Sequence, residues 1–456
     1  MTDRTRYSLA ALLFLVFGPT LTAALIGWIV LRRSPLAVQY ETAAMQVETG
    51  IDLKIDSVEY LRWNFWKYGQ LEIPHPNTGK AFVVFSELEN RLPKPEFSKP
   101  STFFPPGKGT PRKQNSPHMS ITLNPKDVSG DVAILSHLLL NQFGDRFSKR
   151  KTSLMFNFDE IEILCPEVLF TLTLVEGNFR SAGGKCLFEC TFNMRDNPSQ
   201  DAIHFTITRQ KGDSPEEPEL VVELQSKTTE VPVRFLALLF PGLKSLGSEA
   251  FFHGTVRGEL SKKKVWTVTF EDMMIGNADL ATLGAELTPY RMSGQLQIGV
   301  RSARIAFYGS QSRFLDAAGY ILVGNGLVER KLFSRLANEL QLSHTSNEVS
   351  NPNHRSNLNL LADLPKETRD IEFEMARFDV LLGSDGVSLH PVPAAMKSGL
   401  VIMVDKPGIY KYHLPRQISS GSIPYPVLFH WFSPTNAEVF PLTPQTQKIL
   451  PYLLVP

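Results

Sequence analysis

Ile51, Leu53 and Ile55 are separated by Asp52 and Lys54, and the same single alternation of apolar and polar residues returns along most of the chain. Leu61, Trp63 and Phe65 alternate with Arg62 and Asn64, and Leu71 and Ile73 follow. Later sets are Leu154, Phe156 and Phe158; Val168, Phe170, Leu172 and Leu174; Ile203, Phe205 and Ile207; and Leu220, Val222 and Leu224. Trp266, Val268 and Phe270, then Leu296, Ile298 and Val300, then Ile371, Phe373 and Met375, then Leu400, Ile402 and Val404 continue the pattern. Successive side chains of a strand point to opposite faces, so a period of two predicts half-buried antiparallel strands with one apolar face. GQLEIPHPNTGKAFVVFSELE, Gly69 to Glu89, reads as two such strands joined by a turn at Pro74, Pro76, Asn77 and Gly79.

Helical spacing is confined to short stretches. Ile134, Leu135, Leu138 and Leu139 share a face between Asp131 and Phe143. An apolar segment bounded by prolines predicts a helix from Val233 to Phe240, and Val328, Leu332, Phe333, Leu336 and Leu340 mark a third. The expected fold class is mainly β: an elongated antiparallel β-sheet body with a few short helices, behind one N-terminal transmembrane helix.

That last element rests on a different pattern. Between Arg6 and Arg32 no residue is charged, and the 25 residues YSLAALLFLVFGPTLTAALIGWIVL span roughly 37 Å as a helix, against a bilayer core of about 30 Å. Trp28 suits the interfacial belt, and Gly18-Pro19 predicts a kink. A cleaved signal peptide is the rival reading, with Arg4 and Arg6 as its n-region and Thr22-Ala23-Ala24 as its small-residue site. Against it, the apolar run continues through Leu25, Ile26, Trp28, Ile29, Val30 and Leu31. The arginines on the two sides nearly balance, and a long domain follows the span. The expected arrangement is an inner-membrane, single-pass protein with Met1 to Tyr7 in the cytoplasm and the bulk of the chain in the periplasm.

The resulting organisation is a short N-terminus (1–8), a span (9–31), a first β segment (32–90) and a Pro-rich loop or linker (91–118). The main β body (119–342), a polar loop (343–357), further strands (358–413) and a Pro-rich apolar tail (414–456) complete it. With 43% hydrophobic and 20% charged residues the chain is a folded one, and its 32 Pro and 30 Gly supply the turns that many strands require. A net charge of +1, without a basic stripe carrying aromatics, gives no reason to expect nucleic acid.

Three cysteines are no disulfide framework. Cys186 and Cys190 share a strand face about 13 Å apart, too far to bond, and read as small buried hydrophobes. No phosphate loop, HExxH, CxxC or GxSxG element is present, and no two of the ten histidines stand at ligand spacing. Asp159, Glu160 and Glu162 have the residue types of a two-carboxylate hydrolase, but beside Ile161 and Ile163, at a break between strands, they read as solvent-facing carboxylates. No catalytic, cofactor or metal residue is assigned, no cofactor is expected, and the chain reads as a non-enzyme.

A span, then TGIDLKIDSVEY, then a strand into LEIPHPNTGKAFVVFSELE resembles the start of AsmA-like bacterial envelope proteins. RMSGQLQIGVRSARIAFYGSQSRFLDAAGYILVGNGLVERKLFSRLANELQL looks like a late unit of that family, with an Asn325-Gly326 turn before its amphipathic helix. PVRFLALLFPGLKSLGSEAFFHGTVRGEL is similar in style. The resemblance covers 45–90 and 232–342. It implies a curved sheet whose concave apolar face holds phospholipid acyl chains, on a helix fixed in the inner membrane, in lipid transfer or envelope homeostasis. The alternative is a membrane-anchored structural or protein-interaction module whose apolar faces close on each other in a sandwich.

Overall fold

The computed structural model describes residues 34–62, 65–91, 112–124, 152–165, 168–182, 185–195, 201–210, 219–237, 241–261, 265–308, 311–339, 343–346, 369–383, 386–390, 400–404 and 410–413. A few isolated positions are described besides these. Strands make up most of them, and the chain clusters into two compact units, Met1–Asp196 and Asn197–Pro456, dividing the expected 119–342 body. The expected span lies outside the described residues except Ile26, Gly27 and Val30. Among the described residues no helix is long and apolar enough to cross a membrane.

The first unit opens with helix α1 (Pro35–Thr49), where a β segment was expected from residue 32. PLAVQYETAAMQVET has no period of two and is rich in good helix formers. Pro35 takes the first turn, where its missing N–H is no loss, and Gly50 closes the helix at φ 71°, donating its N–H to the Gln46 carbonyl. Glu41 on this helix accepts hydrogen bonds from the Tyr60 and Tyr68 hydroxyls at 2.8 and 3.3 Å, holding α1 to the sheet.

That sheet runs β1 (Lys54–Ile55) and β2 (Val58–Arg62) side by side on one edge of β3 (Phe65–Pro74). It continues through β4 (Ala81–Arg91), β5 (Arg112–Thr122), β6 (Thr152–Leu164), β7 (Leu169–Ala182) and β8 (Lys185–Met194). Arg62 pairs with Phe65, so Leu61 and Phe65 lie on different strands and not on one, while Trp63 lies outside the described residues. The β3–β4 hairpin forms as its sequence predicts, with Gly79 at φ 68° donating to the His75 carbonyl. β5 occupies residues expected to be a Pro-rich loop, and it pairs with β6 in parallel, the only parallel pair among the described strands. A parallel neighbour requires a crossover of a dozen or more residues, and 123–151 provide it. Asp131, in the expected Asp131–Phe143 helix, fastens that crossover: its carboxylate receives the His75 Nε2 proton at 2.9 Å and also the Asn124 N–H. Of that helix only three positions are described, 131, 134 and 135, all helical, as is Gly130 before them.

The second unit begins with β9 (Ile203–Gln210) and β10 (Leu220–Gln225). β11 (Val231–Pro232) and β10 share one edge of β12 (Phe251–Leu260), followed by β13 (Trp266–Asp279), β14 (Met292–Tyr308), β15 (Gln311–Glu329) and β17 (Asp370–Gly383). β18 (Gly386–His390) and β19 (Leu400–Val404) lie on the far edge of β17. β20 (Tyr410–His413) pairs with β19, and β16 (Ser343–Ser346), from the expected polar loop, pairs with β20.

Three short helices attend this sheet: α2 (Val233–Leu236), shorter than predicted, α3 (Leu280–Leu287) and α4 (Arg330–Glu339). Leu332 and Phe333 of α4, with Phe252, are wholly buried. Asn325-Gly326 is not a turn. β15 runs straight through it, and Asn325 uses its tolerance of positive φ (43°) at a bulge opposite Gly294.

Candidate functional site

The strand faces of the second unit line up in rows. Phe270, Ala303, Ala317 and Leu382 are neighbours across β13, β14, β15 and β17; so are Met273, Val300, Gly319 and Val380, and then Ile275, Ile298, Ile321 and Phe378. Every member is apolar or glycine, and all stand on one face. Where the rows cross, a trough of about 260 Å³ opens between bulky walls and a floor of small residues. Gly319 is required there: a Cβ would come within 2.2 Å of the Gly299 carbonyl oxygen.

Ile298, Val300, Ile321, Val380 and Leu382 are only half-buried, although a sealed β core would bury such residues fully. The helices sit elsewhere. Gly284 of α3 lies against Met292 at the start of β14, and α4 leaves the end of β15. Asp279 caps α3, accepting from the Ala281 and Thr282 N–H groups and the Thr282 hydroxyl, and these bonds hold its carboxyl below the usual carboxylate range.

The opposite face of the same strands is polar and aromatic. Tyr320 lies over Gly299, the Arg377 guanidinium stands 5.3 Å from the Tyr320 ring centroid, and Arg301 binds the buried Asp379 carboxylate at 3.0 Å. The sheet therefore has the two-faced character read from its sequence.

In the first unit, the carboxylates singled out by sequence do not sit at a strand break, because β6 is continuous through them. Asp159 is exposed. Glu160 and Glu162 share a face with His118, and the parallel register places His118 opposite Glu160. One donor atom from each of these three lies within 4.8 Å of the others, close enough to ligate one divalent ion. Each carboxylate already has a partner, however: Glu162 has His118 Nε2 at 3.1 Å, and Glu160 the Arg195 guanidinium. No sequence signal announces this cluster: His118 lies more than forty residues before Glu160 and Glu162 and meets them only through the unexpected parallel pairing.

Cys186 and Cys190 are buried free thiols on one face of β8, as the alternation predicts, and Cys165 is a free thiol of intermediate exposure. Burial pushes the Cys190 thiol up to about 12, far from the thiolate needed for nucleophilic or metal chemistry.

No family model matches the chain, and neither a curated protein nor a solved structure matches it.

Proposed function

We propose that this chain is a non-catalytic, membrane-anchored envelope protein whose second β unit receives lipid acyl chains in the trough between β13 and β17. The observation that carries the reading is the set of contiguous apolar rows whose central residues stay half-exposed. An apolar sheet face must be covered by protein or by ligand, and here Met273, Ile275 and Ala303 are buried while Ile298, Val300, Ile321, Val380 and Leu382 are covered only in part. At about 30 Å³ per water-sized group, 260 Å³ holds roughly nine methylenes. Burying them at about 0.8 kcal/mol each yields about 7 kcal/mol, of which association costs of about 4 kcal/mol or more leave a weak and readily reversed hold on one chain.

Transfer fits such a site better than storage, because a shallow trough releases what it binds. The uncharged stretch between Arg6 and Arg32 supplies the anchor, in the inner membrane with the bulk of the chain in the periplasm. The resemblance of 45–90 and 232–342 to AsmA-like proteins supports the same reading.

The test is lipid analysis of the full chain purified in mild detergent, with uptake of a fluorescent phospholipid. Wild type should carry lipid, and Ala317→Trp, which sets an indole on the half-buried floor, should carry much less while keeping its circular dichroism. A folded chain that is lipid-free and takes up no phospholipid is instead the closed interaction module.

A further inference from the structure

A second concavity lies on the opposite face of the same sheet, and its chemistry differs from the trough's. The pairing of β13 with β14 shifts register between Ile275 and Ala278, and that of β14 with β15 between Ser293 and Gln295. At these irregularities Asn277 and Asn325 take left-handed conformations, φ 51° and 43°. Beside these irregularities lies an open depression of about 450 Å³, within the size range of small-ligand sites.

Four of its ten lining residues are carboxamides, Asn277, Gln295, Gln297 and Asn325, and none is charged. Phe251 and Met375 supply apolar surface beside them. The Phe251 ring lies against the Gly276 backbone, where a Cβ would come within 2.4 Å of its Cζ, so the ring is held down as a platform. Gln297 donates from Nε2 to the Met274 sulfur at 2.7 Å, which fixes the orientation of its amide. Asn277, Gln295 and Asn325 are exposed and line the depression.

Each carboxamide offers a donor and an acceptor side by side without charge, the pattern that pairs with neighbouring hydroxyls, which also donate and accept. An acyl chain entering here would strip water from four amides and return nothing, and an anion or cation would find no countercharge. A pyranose ring satisfies both requirements, with hydroxyls on its rim for the amides and a C–H face for Phe251. At about 30 Å³ per water-sized group the cavity takes roughly fifteen heavy atoms, one sugar residue and part of the next.

We propose that this cavity binds a neutral saccharide, with Asn277 and Asn325 as hydroxyl-binding residues and Phe251 as the stacking platform. The inference does not depend on the lipid reading, since the two concavities use opposite faces.

The full chain in an amine-oxide detergent, chosen because a maltoside would present the ligand itself, is titrated with maltotriose, cellotriose and triacetylchitotriose by saturation-transfer NMR. Tetraglycine serves as the amide-bearing competitor. At least one trisaccharide should bind with a Kd of about 1 mM or tighter, and Asn277→Gly/Asn325→Gly should weaken it about tenfold or more. Glycine accepts the left-handed backbone, so that variant deletes the amides without refolding the bulges. Absence of binding by all three sugars at about 10 mM overturns the proposal, as does equal affinity in the double variant or stronger binding of tetraglycine.

Discussion

Asp131 is the residue whose loss tests the architecture of the first unit most directly. His75 Nδ1 accepts the N–H groups of Asn77 and Thr78 at 3.1 and 3.2 Å, so its ring proton must sit on Nε2 and point at the Asp131 carboxylate. The second carboxylate oxygen takes the Asn124 N–H. Both side chains are buried, His75 with 7% and Asp131 with 2% of its surface exposed. Asp131→Ala leaves the buried His75 Nε2–H without its acceptor, worth about 1–3 kcal/mol, and takes the carboxylate from the half-buried Asn124 N–H, where water recovers much of the loss. The expected loss is about 1–3 kcal/mol. Chemical unfolding of the full chain gives the stability. Amide exchange over residues 70–90 tests the local prediction, that the turn bonds from His75 N to the Lys80 carbonyl and from Gly79 N to the His75 carbonyl lose protection. A His75→Ala/Asp131→Ala cycle should show coupling above about 1 kcal/mol. A single-variant loss under about 0.5 kcal/mol, with unchanged exchange in the turn, refutes the idea that this pair fastens the crossover.

Asp279→Ala should destabilise the second unit by about 1 kcal/mol, measured by unfolding at neutral pH. Because the native carboxyl is held below its ordinary value of 3.8, its contribution is present above that pH and fades as pH falls through the lowered value, so the two proteins should converge in acid. Iodoacetamide at neutral pH should leave Cys186 and Cys190 unmodified in the native chain and label all three cysteines after denaturation, read by mass spectrometry. Native labelling of Cys190 would contradict its burial. The raised Cys190 value also means that stability falls as pH rises from about 9 towards 12, since only the unfolded chain then releases that proton. Asn325→Val should cost about 1–2 kcal/mol by placing a β-branched residue at φ 43°, whereas Asn325→Gly should be close to neutral in a thermal melt.

Much of the β architecture was legible because a half-buried sheet imprints its faces on the chain one residue at a time. The Gly69–Glu89 hairpin, the β8 alternation through Cys186, Cys190, Phe192 and Met194, and the apolar rows of β13 and β14 all follow that rule. It fails where a bulge changes phase. Leu174 was grouped with Phe170 and Leu172, yet at φ 52° it is 66% exposed, while Val175 is buried in its stead. Period alone likewise cannot separate a bulge from a turn at Asn325, nor a reversal from a strand at Arg62 and Phe65. The trough was anticipated only as a type of surface, because the sequence does not print which row lies beside which. The carboxamide cavity was not anticipated at all. Asn277, Gln295 and Asn325 belong to three different strands, and only the register brings them together.

The parallel β5–β6 pair carries a consequence for the order in which the chain is assembled. β2 to β5 form a meander, with β1 on the same edge of β3 as β2, so each strand from β3 onward can add to the last as it emerges. β6 cannot join by the same route, because its partner edge becomes useful only after 123–151 have crossed over and Asp131 has found His75. Closing that loop precedes the reward of the ladder, which makes it the slow step of the first unit. Until it closes, β5 presents an unpaired edge, and Pro117 and Lys113 on that strand are the kind of residues that discourage a neighbouring chain from pairing there first.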